Sequence, residues 1–356
     1  MILNLKQPVI GLSPMDGVTD SPFRQITKLV GNPDLIFTEF CHVKGVINAL
    51  DNIVDTFHYE EPERPVIAQI YGKTQEDFYH VAKVIAALGF DGVDINMGCP
   101  AKNVVYSGSG AGLIKTPSLA ISIIKSVKEG LTDWALDGKI TGLSGRSLLA
   151  LTKKIDEYKS RISSQAPKNF IGIKNLTGER EMISLSVKTR IGYDKPITQE
   201  WISLLSSSET DFISLHGRTL KEMYGGSSNI EELKIAALTS TKPLLVNGDI
   251  TSLEKAWEVI NYTKAAGALI GRASFGNPWV FLPKKEVSIA EKFDTLLKHA
   301  ELFVKVYPHT SDFVRLRKHL GWYAKGFEGA SEVRNNLVKT NNLMEVKEVL
   351  KTVKEI

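Results

Sequence analysis

The sequence predicts an α/β protein, a (β/α)8 TIM barrel followed by a small C-terminal helical domain. Three observations carry that expectation. Eight short, β-branched, nearly continuous apolar runs recur along the chain, as strands buried on both faces of a parallel sheet require. Stretches with helical spacing lie between them. Each run closes on residues too polar or too conformationally special for a barrel interior, and in a barrel such positions gather at the C-terminal mouth, where active sites lie.

In chain order the runs are "VIGLSP" from Val9, "LIFTEF" from Leu35, "PVIAQIYG" from Pro65, "GVDINMG" from Gly92, "ISLSVKTRIG" from Ile183, "DFISLHGR" from Asp211, "PLLVNGD" from Pro243 and "GALIGRA" from Gly267. Their ends carry Met15-Asp16-Gly17, Glu39, Gln69, Asn96 with Cys99, Lys188 with Arg190, His216 with Arg218, Asn247-Gly248-Asp249, and Gly271-Arg272. Between the third and fourth runs, Phe78, Val81, Ala82, Ile85 and Leu88 recur at helical spacing. The connection before the fifth run is too long for one helix. An insertion at about 131–182 is expected there, including an amphipathic helix begun by Ser144 or Ser147. As a helix-to-strand connection it should emerge at the N-terminal face of the barrel, away from the chemistry. The barrel domain is placed at residues 1–283 and the helical domain at 284–356. In the latter, Leu296, Leu297, Ala300, Phe303 and Val304 make one apolar face, and Phe313, Leu316, Leu320 and Tyr323 another.

Composition narrows the class. Hydrophobic residues are 43% and charged residues 24%, which is ordinary for a globular protein and argues against disorder. The N-terminal stretch lacks a signal-peptide pattern and no apolar run is long enough to span a bilayer, so a cytoplasmic protein without a membrane partner is expected. Cys41 and Cys99 are too few for a disulfide framework, and no tight histidine spacing completes a metal site, so no metal is expected. The net charge of +4 lies in the C-terminal part, since residues 284–356 hold 14 Lys and Arg against 10 Asp and Glu.

The loops after the seventh and eighth runs suit a phosphate. Gly248 and Gly271 let backbone approach closely, Arg272 adds a planar fork for phosphate oxygens, and Asp249 flanks it. The other ends suit a flat polar ring. Gln69 and Asn96 can donate and accept at a heterocycle edge, Lys188 can stabilise negative charge on a reduced ring, and His216 can donate to a phosphate or ring oxygen. Flavin mononucleotide (FMN) fits this set, and no G-x-G-x-x-G follows the first strand to hold a dinucleotide instead. Cys99, read as lying on a flexible glycine-bearing loop at the mouth, is then a candidate acid that protonates one carbon of a double bond while reduced flavin delivers hydride to its neighbour. Nucleophilic catalysis by its thiolate is the competing chemistry, and Cys41 is assigned to the apolar interior.

The ordered motifs "SPMDGVTDSPFR", "PVIAQIYG", "DINMGCPAKNVVYSGSGAGLI", "SVKTRIGYD", "SLHGRT", "LVNGDI" and "GALIGRASFGNPW" resemble those of the tRNA-dihydrouridine synthases, and "RLRKHLGWYAKGFEGASEVRN" resembles the helical domain of the bacterial B-type members. The resemblance implies FMN as prosthetic group, NADPH as reductant, and reduction of the C5=C6 bond of specific uridines in tRNA. It implies that Cys99 protonates C5 as hydride passes from flavin N5 to C6, and that Pro14, Met15, Gln69, Lys188, His216, Asn247, Gly248, Asp249, Gly271 and Arg272 hold FMN. Asn96, Arg190, Tyr71 and Lys102 would face the base. The uneven charge then has a use, because basic side chains neutralise phosphates and aromatic rings stack on unpaired bases. Arg315, Arg317 and Lys318, with Trp322 and Tyr323 nearby, are the expected tRNA surface of a monomer. The rival readings are a flavin oxidoreductase for a free small molecule and a non-catalytic RNA-binding factor on the same scaffold.

Overall fold

A computed structural model of the chain describes residues 8–162, 170–223 and 225–354. Strands β1 (Val9–Leu12), β2 (Leu35–His42), β3 (Val66–Tyr71), β4 (Gly92–Met97), β5 (Ser184–Arg190), β6 (Phe212–His216), β7 (Leu244–Asn247) and β8 (Gly267–Ile270) each pair in parallel with the next, and β8 closes on β1. All eight expected strands are present. Successive side chains of a strand point to opposite faces, so alternate residues line the barrel. Val9, Leu35, Phe37, Ile67, Phe212, Leu245 and Leu269 form a separate, fully buried cluster that fills the lower barrel. Their neighbours Val66, Ala68, Ile213, Leu244 and Val246 instead join the outer core beneath the helices. Two residues beyond the apolar cluster, the inward position turns polar: Ile67 is followed by Gln69, Phe212 by Ser214, Leu245 by Asn247.

The barrel helices are α1 (Ser21–Gly31), α2 (Val43–Ile53), α3 (Gln75–Ala87), α5 (Pro117–Asp137), α8 (Thr198–Ser206), α9 (Ile230–Thr239) and α10 (Leu253–Thr263), with the short α4 (Lys102–Tyr106) ahead of α5. The expected insertion contributes α6 (Gly145–Arg161) and α7 (Ile171–Thr177). Ser144 caps α6 by accepting from the Ser147 amide at 3.2 Å. Helix α7 reaches the N-terminal end of the barrel, where the Gly172 amide donates to Asp91 at 3.1 Å. Helix α6 begins against α2, where the Leu50 amide donates to the Ser147 hydroxyl at 3.0 Å, and ends against the connection that leads into β3, where Tyr158 donates to the Phe57 carbonyl at 2.5 Å.

Helices α11 (Ile289–Val306), α12 (Phe313–Tyr323), α13 (Ala330–Leu337) and α14 (Leu343–Lys354) enclose a second core around Leu296, Ala300, Phe303, Leu316, Leu320 and Tyr323. Trp279, from the segment after β8, belongs to it. Several contacts seat this helical arm on the barrel. The Trp322 ring stacks on Phe275 at 4.2 Å and 12°, and Lys325 donates to the Phe275 carbonyl at 2.9 Å. Elsewhere Phe23 of α1 lies against His299 and His319, at ring separations of 6.0 and 5.4 Å. Both histidines are buried, and burial holds His299 down to about 3 and His319 well below its ordinary value.

A depressed histidine is neutral in the fold yet takes up a proton when unfolded, so its stabilising effect is complete above about pH 6.5 and is lost progressively as pH falls below that. Acidification from pH 7 to 5 should therefore cost on the order of 1–2 kcal/mol for each of the two rings. Asp20 and Asp94, raised by burial to about 7 and 6, act in the opposite sense. The measurement is thus comparative: thermal unfolding of wild type should depend more steeply on pH across this window than that of a His299→Leu/His319→Leu variant, and parallel curves would contradict it.

Candidate active site

The strand ends enclose a cavity of about 1080 Å³. Pro14, Met15, Gln69, Asn96, Cys99, Lys188, Arg190, His216, Asn247, Gly248, Asp249, Gly271 and Arg272 all line it. Tyr71 lies beside the cavity, its ring edge-on to Phe40 at 4.9 Å, and Phe40 itself forms part of the wall. Lys102 is exposed on the first turn of α4, outside the cavity.

At one end the chain builds an anion cradle. Gly248 has φ +126°, and a Cβ there would lie 2.3 Å from the Ser228 hydroxyl oxygen and 3.0 Å from His216. Asp249 ties the neighbouring cations together, accepting from Arg218 at 2.6 Å and from Arg272 at 3.0 Å. Burial would lift its carboxyl, but the Arg218 bond and the Ser228 amide bring it below the ordinary carboxylate value. Among the described residues the buried Ser228 hydroxyl has no hydrogen-bond partner. A cradle that any side chain at Gly248 would crowd, and an orphaned buried hydroxyl beside two arginines, suit the phosphate of FMN. Burial, reinforced by the surrounding cations, pushes His216 down to about 2, so its ring is neutral.

The opposite wall is polar and deeply buried. Gln69 donates to Asp94 at 2.8 Å and accepts from Asn96 at 2.9 Å, while Ser186 donates to the other Asp94 oxygen at 2.6 Å. Lys188 donates to Asn247 at 3.2 Å, and Asn247 donates to the Leu269 carbonyl at 2.8 Å. Burial, then Arg190, lowers Lys188 to about 8, which leaves it mostly cationic at neutral pH. A ring lying between these amides and Lys188 meets donors, acceptors and one positive charge, so this wall also suits a flavin.

Cys99 stands on a tight turn. The Asn96 side-chain oxygen accepts from the Gly98 and Cys99 amides at 3.1 and 2.8 Å, and Arg190 donates to the Gly98 carbonyl at 2.7 Å. Arg190 also donates to the Thr219 and Met223 carbonyls, each at 3.1 Å, so much of its guanidinium braces backbone. The glycine-bearing stretch beyond Cys99, expected as a flexible loop, is folded: α4 is followed by a short 3-10 turn at Gly110–Lys115, and the Ala111 amide donates to the Cys99 carbonyl at 3.2 Å. Burial lifts the Cys99 thiol above its ordinary value, so it is protonated at neutral pH. Cys41 is buried, and its thiol is pushed up to about 12.

The basic face of α12 divides. Arg315 lies over the Tyr307 ring at 4.4 Å and is exposed, and Lys318 donates to the Gly17 carbonyl at the edge of the first barrel loop. Arg317 turns inward to its own domain, donating to the Thr340 carbonyl and to Asn341. Neither expected stacking ring is open to a base. Tyr323 is buried in the helical core, and Trp322 is already stacked on Phe275, because each needed a partner from an element remote in sequence. Sequence reasoning missed Asp94, Ser186 and Phe40. The first two sit two residues before Asn96 and Lys188, so the strand period pointed to them. Phe40 was hidden by a register shift between Phe37 and Phe40, where β2 departs from regular pairing with β3. Among the described residues no His, Cys, Asp and Glu group is placed to hold a metal, and no helix is long and apolar enough to cross a membrane.

Barrel enzymes that hold a flat, phosphorylated cofactor across the C-terminal mouth are the class to which this fold and cavity correspond. Within that class the chain belongs to the dihydrouridine synthase family, whose model matches residues 11–133 and 173–356. The unmatched stretch includes α6. A probable tRNA-dihydrouridine synthase of Staphylococcus epidermidis is 30% identical over 362 residues, covering 98% of this chain and 94% of the relative. The probable tRNA-dihydrouridine synthase 2 of Bacillus subtilis is 30% identical over 361 residues, covering 97% and 94%. The solved structure of an old yellow enzyme homologue from Zymomonas mobilis covers 80% of this chain and 91% of its own at 13% identity and a TM-score of 0.39, a likeness from which no chemistry is taken.

Proposed function

We propose that this protein reduces the C5=C6 bond of uridines in tRNA to 5,6-dihydrouridine, with FMN held in the barrel mouth and NADPH as the reductant. The observation that carries the reading is a single cavity in which the protonated Cys99 thiol and the Gly248–Arg272 anion cradle occupy the same wall system. Bound and reduced, the flavin would supply hydride to C6 of the base. Cys99 then donates its proton to C5, and the buried position that raises its thiol keeps that proton available throughout the neutral range. Gln69 and Lys188 would orient the ring, Asn247 holds Lys188 in place, and Arg272, steadied by Asp249, would receive the phosphate. Asn96 and Arg190 hold the Cys99 turn, and Tyr71 and Lys102 stand on the side from which the base enters. Arg315 and Lys318, exposed beside the first barrel loop, neutralise tRNA phosphates. The uridine must leave its stack to reach the cavity, which favours a loop over a duplex.

The test is direct. Purified protein should be yellow and release FMN on denaturation, and tRNA from cells lacking the gene should lose dihydrouridine at defined positions that the cloned gene restores. Protein that is colourless and takes up no FMN, or tRNA with an unchanged dihydrouridine content, would overturn the reading.

A further inference from the structure

We propose that Asp94 is a positioning residue for the thiol: acting through Gln69 and Asn96, it fixes the turn that presents Cys99 to the cavity. The inference rests on the reading of Cys99 as proton donor given above. Asp94 is fully buried and faces inward on β4, one inward position below Asn96. Its two oxygens accept from Ser186 at 2.6 Å and from Gln69 at 2.8 Å. Gln69 accepts in turn from Asn96 at 2.9 Å, and Asn96 accepts from the Gly98 and Cys99 amides at 3.1 and 2.8 Å.

This row of bonds has a direction. An ionised carboxylate only accepts, and a backbone N–H only donates, so the two ends of the row are fixed by their chemistry. The two carboxamides between them satisfy both ends in one orientation alone. Turning either amide over sets donor against donor or acceptor against acceptor in a buried site, where an unmade hydrogen bond is costly. A carboxylate at position 94 therefore determines which atom Asn96 turns toward the Cys99 amide, two side chains away. Without it, Gln69 and Asn96 lose their bias, and the turn keeps its carbonyl bonds alone, from Arg190 to Gly98 and from the Ala111 amide to Cys99. Ser186 completes the second oxygen of Asp94 and is not itself a lining residue of the cavity.

The experiment compares full-length wild type, Asp94→Ala and Asp94→Asn by the rate at which iodoacetamide alkylates Cys99, with the buried Cys41 as internal reference, both without and with added FMN. Asp94→Ala should be alkylated roughly tenfold faster or more without FMN, the factor that loss of one hydrogen bond to a carboxylate corresponds to. With FMN, its kcat on tRNA should fall on the order of 100-fold, as expected when a reacting group is misplaced by about 1 Å, while KM for tRNA stays at the wild-type value. Asp94→Asn still offers Gln69 an acceptor and should lie between the two. A folded Asp94→Ala protein with the wild-type alkylation rate overturns the proposal. Should that variant fail to fold, Gln69→Leu breaks the same row one link further on, and a wild-type alkylation rate there overturns it equally. Wild type that binds no FMN and forms no dihydrouridine would instead remove the functional reading, and the alkylation comparison, made without FMN, separates that failure from this one.

Discussion

Replacing Cys99 by alanine should lower the rate of dihydrouridine formation by roughly 10²–10⁴-fold, the range a positioned general acid contributes. The turn should survive, because Asn96 holds it through backbone amides and not through the sulfur. Flavin and tRNA binding should therefore persist, and the loss should fall on kcat. Counting dihydrouridine by mass spectrometry in single-turnover reactions with pre-reduced protein isolates the step. Serine at this position should recover little, since a hydroxyl is a far weaker acid than a thiol. The pH profile has a defined sign. The thiol is raised above its ordinary value by burial, so the rate contributed by Cys99 should be level through neutrality and decline only on the alkaline side. A Cys99→Ala protein with undiminished turnover would remove the thiol from the chemistry.

Gly248→Val should weaken retention of FMN. The backbone there has φ +126°, a conformation that side-chain-bearing residues rarely adopt, and the new Cβ would lie 2.3 Å from the Ser228 hydroxyl oxygen. Relief requires the segment to move, and Asp249 moves with it, carrying the partner shared by Arg218 and Arg272. Strain of about 1–3 kcal/mol, if relieved wholly by displacing the cradle, corresponds to roughly 5–150-fold in affinity. Loss of the yellow colour on gel filtration and a raised dissociation constant by flavin fluorescence check it. Gly145→Ala is the matched control, since a Cβ at that first residue of α6 meets nothing within 4 Å and should leave flavin affinity unchanged. Equal affinities for Gly248→Val and wild type would dissociate this glycine from the cofactor.

The two variants act on residues that were legible in the sequence, and the reason is geometric. A parallel barrel sends every strand end to one rim, so the residues closing eight apolar runs had only one place to meet, and thirteen of them line the cavity. Asp94 and Ser186 escaped notice only because they lie inside the apolar runs, one strand period below the rim. The helical arm was less legible for a different reason. The spacing of Phe313, Leu316, Leu320 and Tyr323 defines a buried face, and all four are buried. What spacing does not encode is the partner of a ring on the helix border. Trp322 found Phe275, some 47 positions earlier in the chain, and its stack with that ring exists only once the barrel has closed. The lie of α6 was hidden likewise, since its hydrogen bonds go to α2 and the Phe57 carbonyl, far upstream.

The stack of Trp322 on Phe275, with the Lys325 bond to the same residue, puts the seat of the arm three positions beyond Arg272. Occupancy of the mouth and attachment of the arm are in that case reciprocal equilibria: whatever free energy a bound phosphate confers on attachment, attachment returns to phosphate binding in equal measure. A protein stripped of its chromophore whose arm detaches at a lower temperature than that of the loaded one would reveal that coupling and its sign.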